Sequence, residues 1–261
     1  MRRERSQQNA QPAAQFRSGK SRRGTLYVIC VPIGHPDDIT LRGLRVLREV
    51  SLIASEDPAS TQRLLNEHAI EGTVTSYGPR NIEEKVAVLI DRLLNGADVA
   101  LVSDSGAPVI ADPGHRLISA AHGHGIRVRS SPGASAVTAA LSVSGFSGDS
   151  FFFSGVLPET RSVLKQQLPR LLIRREQTVA FCAVRSLTLI LDLMKCLAPR
   201  RTIALACDLT KPNEMVIRGT AHQVLKVLAE RPAIQDVTLI LSSRTGRASG
   251  EKDDANDANK N

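Results

Sequence analysis

The chain has 261 residues, an apolar fraction of 42%, only 3% aromatic residues and no tryptophan. That suits one large α/β unit or two compact halves around an aliphatic core, and it excludes a disordered chain or one that works through aromatic stacking platforms. The formal net charge of +8 is concentrated near the start, and no run approaches the roughly 20 apolar residues needed to cross a bilayer.

Residues 1–23 carry Arg2, Arg3, Arg5, Arg17, Lys20, Arg22 and Arg23 against the single acid Glu4. Without apolar periodicity and rich in Gln, Ser and Ala, this stretch is expected to be a disordered basic arm, either attracting phosphate or solubilising the chain. It has no apolar signal-peptide core, so a cytoplasmic protein is expected. Beyond it, Tyr27–Val31, Ser51–Ala54, Val99–Val102 and Ile126–Val128 read as buried strands. The spacing of Leu41, Leu44 and Leu47, and of Val86, Leu89, Ile90, Leu93 and Leu94, predicts helices with one apolar stripe. Strand–helix alternation predicts a mostly parallel sheet covered on both faces.

Pattern and composition break at Ser142–Asp149, which divides the chain into an α/β domain over 24–145 and a second over 150–243. In the second, Phe151–Phe153, Thr178–Phe181, Thr202–Ala206, Met215–Ile217 and Val237–Leu241 read as strands, with helices near 159–174, 186–197 and 220–230. The close spacing of its last strands predicts a mixed sheet. Residues 244–261 hold four basic and four acidic groups among Ser, Gly and Asn and read as a second disordered tail. Cys30, Cys182, Cys196 and Cys207 form no C-x-x-C pair and are expected to be reduced core or pocket residues. The six histidines make no metal-binding pattern, with His122 and His124 read as a solvated helix-end pair, so no metal is expected.

Open α/β sheets bind ligands beyond the carboxyl ends of their strands. Three such exits, Val31–Asp38, Ser103–Gly114 and Ser130–Ala136, each join glycine to proline, pairing close backbone approach with a fixed turn. Together they predict one shared cleft. None is a G-x-G-x-x-G or G-x-x-x-x-G-K-[ST] string, so neither a dinucleotide nor a nucleoside triphosphate site is indicated.

V-P-I-G-H-P-D-D-I-T-L-R-G-L, A-S-E-D, V-A-L-V-S-D-S-G-A-P-V-I-A-D-P-G, S-P-G-A-S-A-V-T-A-A-L-S-V-S-G and L-T-K-x-x-E-x-x-x-R-G-T occur in this order between Val31 and Thr220. The chain thereby resembles the tetrapyrrole-methylase superfamily, and within it the branch that methylates small-subunit ribosomal RNA. The resemblance implies two αβα domains, usually in a homodimer, with S-adenosylmethionine bound between them and a cytidine ribose 2′-hydroxyl as acceptor. It places the cofactor against Pro32 and Gly34, against Asp104, Ser105, Gly106, Ala107, Pro108 and Ile110, and against Pro132, Gly133, Ala134 and Ser135. Phe181, Cys182, Leu209 and Thr210 close from the second domain.

Methyl transfer from a sulfonium needs alignment and exclusion of water, whereas a ribose hydroxyl is a weak nucleophile that a carboxylate base assists. Asp37, Asp38, Glu56 and Asp57 are the candidate bases, although acids at helix openings are also caps. Asn81, Lys211 and Arg218 are candidates for substrate contact, the two cations through phosphate. Polar motifs depart from the family pattern. Pro58-Ala59-Ser60-Thr61 stands where the family has Thr-Arg-His-Thr, Gly78-Pro79-Arg80-Asn81 where it has His-Glu-x-Asn, and Phe181-Cys182-Ala183-Val184-Arg185-Ser186-Leu187 where it has Phe-Tyr-Glu-Ser-Pro-His-Arg, so that the Glu, His and Arg of that pattern are replaced. The cofactor loops persist while substrate-facing groups change. Methylation of a small molecule such as a tetrapyrrole or of a peptide, and a non-catalytic cofactor- or RNA-binding role, therefore stand as alternatives.

Overall fold

Strands apolar on both faces must be covered on both faces, and that requirement organises the chain in a computed structural model describing residues 22–230 and 233–243. Of the expected basic arm only Arg22 and Arg23 fall among these residues, and the expected tail over 244–261 lies outside them. The first sheet contains β1 (Thr25–Ile29), β2 (Leu52–Ser55), β3 (Val74–Ser76), β4 (Val99–Val102) and β5 (Arg127–Ser131). Its order is β3-β2-β4-β1-β5, and every pairing is parallel. Four helices serve it: α1 (Leu41–Glu49), α2 (Pro58–Glu67), α3 (Ile82–Leu94) and α4 (His115–Gly123). Leu26, Leu52, Ala54, Val99 and Leu101 pack against Leu89 and Leu93 of α3 and Leu117 of α4. Ile29, Ile53, Ala100 and Val102 face the other way, onto Val46 and Leu47 of α1 and Leu65 of α2. Thr40 opens α1 by accepting the Gly43 N–H at 3.0 Å, and Asp57 opens α2 by accepting the Ala59 N–H at 2.9 Å.

The second sheet contains β6 (Phe151–Val156), β7 (Gln177–Cys182), β8 (Thr202–Cys207), β9 (Met215–Thr220) and β10 (Val237–Leu241), in the order β6-β7-β10-β8-β9. β6 and β7 are parallel and the remaining pairs antiparallel, so the sheet is mixed as expected. Alternate residues again serve two layers. Ile203, Leu205 and Leu239 pack with α6 (Arg161–Leu172), α7 (Val184–Leu197) and α8 (Ala221–Ala229). Val179, Ala204, Ala206 and Ile240 face α5 (Ala136–Val143), meeting Val137 and Ala140. The two alanines on β8 let α5 lie close. Because α5 directly follows β5, this apolar seam joins the two halves.

Four local features differ from expectation. β5 runs over Arg127–Ser131 rather than Ile126–Val128, and β3 was not expected at all. Both lie at sheet edges, where one side meets solvent and an apolar run is not required. Leu41 is 81% exposed, because the first helical position projects beyond the sheet; Val46 and Leu47 carry the stripe instead. Cys196 is exposed on α7 rather than in a core or pocket. Leu47→Ala is accordingly expected to cost about 2–5 kcal/mol in urea unfolding, and Leu41→Ala about 0.5 kcal/mol or less.

Candidate active site

The exits of β1 and β4 and the turn after β5 meet the second half across a cavity of about 400 Å³, within the roughly 300–1,000 Å³ range of small-molecule sites. Ser105, Gly106, Ala107 and Ile110 from the β4 exit, and Ser135 at the start of α5, form one wall. Phe181 and Cys182 of β7 and Leu209 after β8 form the other. A smaller cavity of about 260 Å³ shares Ile33 and Ser105 with it and is lined by Pro32, Gly34, Asp104 and by Ser60, Arg63 and Glu67 of α2. The expected cofactor residues thus divide between two adjoining spaces. Pro108, buried behind its loop, and Pro132, Gly133, Ala134 and Thr210 line neither.

Hydrogen bonds across the chain set this geometry. The Asp208 carboxylate is 0% exposed and accepts the Gln235 N–H at 3.0 Å, the Asp236 N–H at 2.9 Å and the Asn213 amide at 2.6 Å. It anchors a loop with left-handed backbone at Asp208 (φ 48°) and Thr210 (φ 63°). Thr210 Oγ1 then accepts the His35 N–H at 2.9 Å. A Cβ at Gly34 would lie 2.5 Å from the Leu209 carbonyl oxygen, so only glycine permits this approach. In the first half, Val31 donates to the Gly106 carbonyl at 2.9 Å and accepts the Gly106 N–H at 3.2 Å, joining two exits through a glycine at φ 70°. Val109 (φ 75°) and Ala111 (φ 70°) are also left-handed. Such backbone strain in non-glycine residues persists where the surroundings over-determine it.

Acids dominate the cleft. Asp104 accepts the Asp57 N–H at 2.8 Å, tying the β2 exit to the β4 exit, and its charge reaches both Glu56 and Asp112. Burial, followed by repulsion from Asp104, pushes the Asp112 carboxyl up to about 6, against the lowering effect of the Ser103 hydroxyl. Burial and then the charges of Asp104 and Asp112 also raise Glu56. These acids do not gather closely enough to share a metal ion: among the described residues no three His, Cys, Asp or Glu side chains do. Cys182 is pushed up to about 12, by burial and then by Cys207, so it is a neutral thiol in the wall.

The other expected site residues have structural partners or lie apart. Asp37 is exposed in the single 3-10 turn Pro36–Asp38 and lines neither cavity, while Asp57 caps α2. Asn81 closes a turn, accepting the Gly78 N–H at 3.0 Å and donating to Ser76 Oγ at 2.8 Å. Lys211, 22% exposed at its side chain, is held by Asp236 and Asp208, and Arg218 stacks on the Phe146 ring with its guanidinium carbon 4.8 Å from the centroid. Sequence reasoning missed Asp112 and Arg63. Asp112 lies in the same exit as Asp104 and was within reach of a reading that gave every acid of that loop equal weight. Arg63 faces the smaller cavity only because of how α2 docks, which no local signal records.

Comparison with known proteins agrees with this geometry. Residues 25–225 match the Tetrapyrrole (Corrin/Porphyrin) Methylases. The chain is 34% identical over 223 residues to Ribosomal RNA small subunit methyltransferase I of Thermotoga maritima, covering 85% of this chain and 99% of that one. With the protein of the same name from Pseudomonas aeruginosa it shares 40% identity over 199 residues, covering 74% and 69% respectively. Its fold is similar to that of uroporphyrin-III C-methyl transferase from Thermus thermophilus complexed with S-adenosyl homocysteine, with a TM-score of 0.57, 19% identity and coverage of 84% and 97%. The extent of these matches leads to one conclusion: the chain belongs to the tetrapyrrole methylase family and is a methyltransferase.

Proposed function

We propose that the protein uses S-adenosylmethionine to methylate the ribose 2′-hydroxyl of a cytidine in small-subunit ribosomal RNA, acting in the cytoplasm as a homodimer whose subunits each comprise domains over 24–145 and 150–243. The observation that carries this reading is the match, at 34% and 40% identity, to two proteins named for small-subunit ribosomal RNA methylation. The larger cavity fits the cofactor. Ile33, Ile110, Phe181 and Leu209 offer apolar cover for an aromatic ring system, Asp112 and Asp236 offer negative charge to a cation, and Gly106 leaves room at the wall. S-adenosylmethionine supplies, when bound, a methyl group already activated on a positively charged sulfur.

The residues of this chain orient, exclude water and move a proton. Ser105, Gly106, Ala107, Ile110, Ser135, Phe181, Cys182 and Leu209 hold the cofactor. Pro32, Gly34 and Asp104 border the adjoining space, which receives the acceptor nucleotide with Arg63 toward its phosphate. Arg63 suits that role because it makes no hydrogen bond or ion pair with any described residue. From the wall of the larger cavity, Asp112 takes up the hydroxyl proton. A carboxyl raised toward neutrality holds a proton better than an ordinary aspartate while remaining ionised at pH 7 to 8. Repulsion from Asp104 tunes it.

Calorimetric titration with S-adenosylmethionine, followed by transfer of labelled methyl to purified small ribosomal subunits, tests the reading: binding and transfer are expected, and binding without transfer would overturn the RNA acceptor. Gly106→Arg is expected to abolish cofactor binding, since it strains a left-handed position and fills the wall; unchanged affinity would place the cofactor elsewhere. For Asp112→Asn, kcat should fall by about 10²–10⁴-fold, with loss of an acidic limb near pH 6 in the wild-type kcat/KM profile. Stability should move the opposite way. Because Asp112 rises from 3.8 to about 6 on folding, the folded state holds this proton more tightly, and wild-type stability declines as pH rises through that window. The neutral variant should therefore melt higher at pH 8 and converge on the wild type near pH 4.

A further inference from the structure

A polyanion meets an awkward surface at the cleft described above. The larger cavity presents Asp112 and Asp236 and no Lys or Arg, and the smaller sets Asp104 and Glu67 against Arg63 alone. Attraction for an RNA backbone must come from another face. The strongest candidate is the edge formed by β5 and the entry to β1. Among the described residues β5 pairs only with β1, in a register that sets Thr25 beside Arg127 and Tyr27 beside Arg129. Its other edge has no strand partner among the described residues. Arg127 and Arg129 are two positions apart, so they share one side of the strand, and both are exposed, as are Arg22 and Arg23. Arg22, Arg23 and Arg127 line one concavity together with Gly24, Thr25, Leu94 and Gly125.

The charge of these groups is largely uncompensated. Arg23 donates to the His124 carbonyl, which seats the chain entry against the end of α4. The side chains of Arg22, Arg127 and Arg129 have no carboxylate or hydrogen-bond partner among the described residues. The nearby Asp98 carboxylate accepts the Thr25 N–H at 2.6 Å. A strand rises about 3.3 Å per residue, so Arg127 lies about 13 Å along β5 from Ser131, whose far side leads to the cleft. An extended ligand, unlike a mononucleotide in the cleft, can span that distance.

We infer that Arg127 and Arg129 on the free edge of β5, with Arg22, form a docking surface for the phosphate backbone of an RNA whose reactive nucleotide occupies the cleft on the opposite end of the sheet. This rests on the RNA reading of the active site and adds a second contact region to it. A charged free edge also discourages strand-to-strand aggregation, so the test must separate the two roles. Charge reversal does so, because Arg127→Glu with Arg129→Glu keeps the edge charged while repelling phosphate.

Binding of the full chain to small ribosomal subunits and to a structured RNA of unrelated sequence should be titrated across a series of salt concentrations. The Glu double variant is expected to bind both RNAs at least tenfold more weakly near 0.15 M salt, with a higher KM for subunits, an unchanged kcat at saturation and unchanged S-adenosylmethionine affinity. Arg127→Gln with Arg129→Gln should reduce the salt slope of log affinity by about 1.5, and Lys at both positions should restore it. Unchanged RNA affinity and salt slope in the Glu and Gln variants would overturn the surface. Self-association of the Gln variant alone, with RNA binding intact, would assign the arginines to edge protection instead. Failure of the wild type to methylate subunits would count against the RNA acceptor, whereas the comparison of variants on unrelated RNA would still decide the surface.

Discussion

The cleft depends on a buried charge that never faces it. Asp208 is removed from solvent, yet three donors from Asn213, Gln235 and Asp236 satisfy its carboxylate. A buried anion is stable only when paired in this way, and the pairing draws the loop after β8 onto the approach to β10. The left-handed turn that results delivers Leu209 and Thr210 to the exit of β1, where Gly34 and the His35 N–H receive them. The opposite side is held by α5, whose Val137 and Ala140 lie on Ala204, Ala206 and Ile240 of the second sheet. Polar anchoring on one side and apolar packing on the other hold two separate sheets at the width of a small-molecule site.

Within that width the cleft carries features that cost stability. Asp112 is held where ionisation is disfavoured by burial and by Asp104, and Val109 and Ala111 adopt backbone that L-residues avoid. Both features lie in the exit of β4, the strand at the centre of the first sheet. A rigid central strand can support a strained loop that an edge strand could not, because neighbours on both sides fix its end. In the proposed function the negative cleft suits a cationic cofactor, and attraction of a polyanion falls to the far edge of the same sheet. Separating the two by the length of a strand avoids placing opposed electrostatic demands on one pocket.

The two edges of the first sheet explain much of what was hidden from a linear reading. Central strands such as Val99–Val102 announced themselves because burial on both faces demands an unbroken apolar run. Val74–Ser76 and the Arg127–Ser131 strand face solvent on one side and obey no such rule. Leu41 misled for the converse reason: its spacing fits the stripe, but a helix end can project past the surface that the rest of the helix covers.

The candidate site divides along the same physical line. The glycine- and proline-rich exits were legible because close backbone approach and positive φ leave few residue choices, as at Gly34 and Gly106. The roles of charged side chains were not. Lys211 and Arg218 could read as phosphate ligands until their contacts with Asp236 and Phe146 were seen, and Asp112 stood out only once burial and Asp104 were placed around it. The amino-acid order by itself determined the strand–helix alternation, the two kinds of sheet and the loops that meet at the cleft, because periodicity and backbone sterics act within a few residues. Which charges are neutralised, which stay free and which are shifted was decided only in the tertiary structure, because electrostatic energy depends on distances between groups far apart in the chain and on the solvent that folding removes.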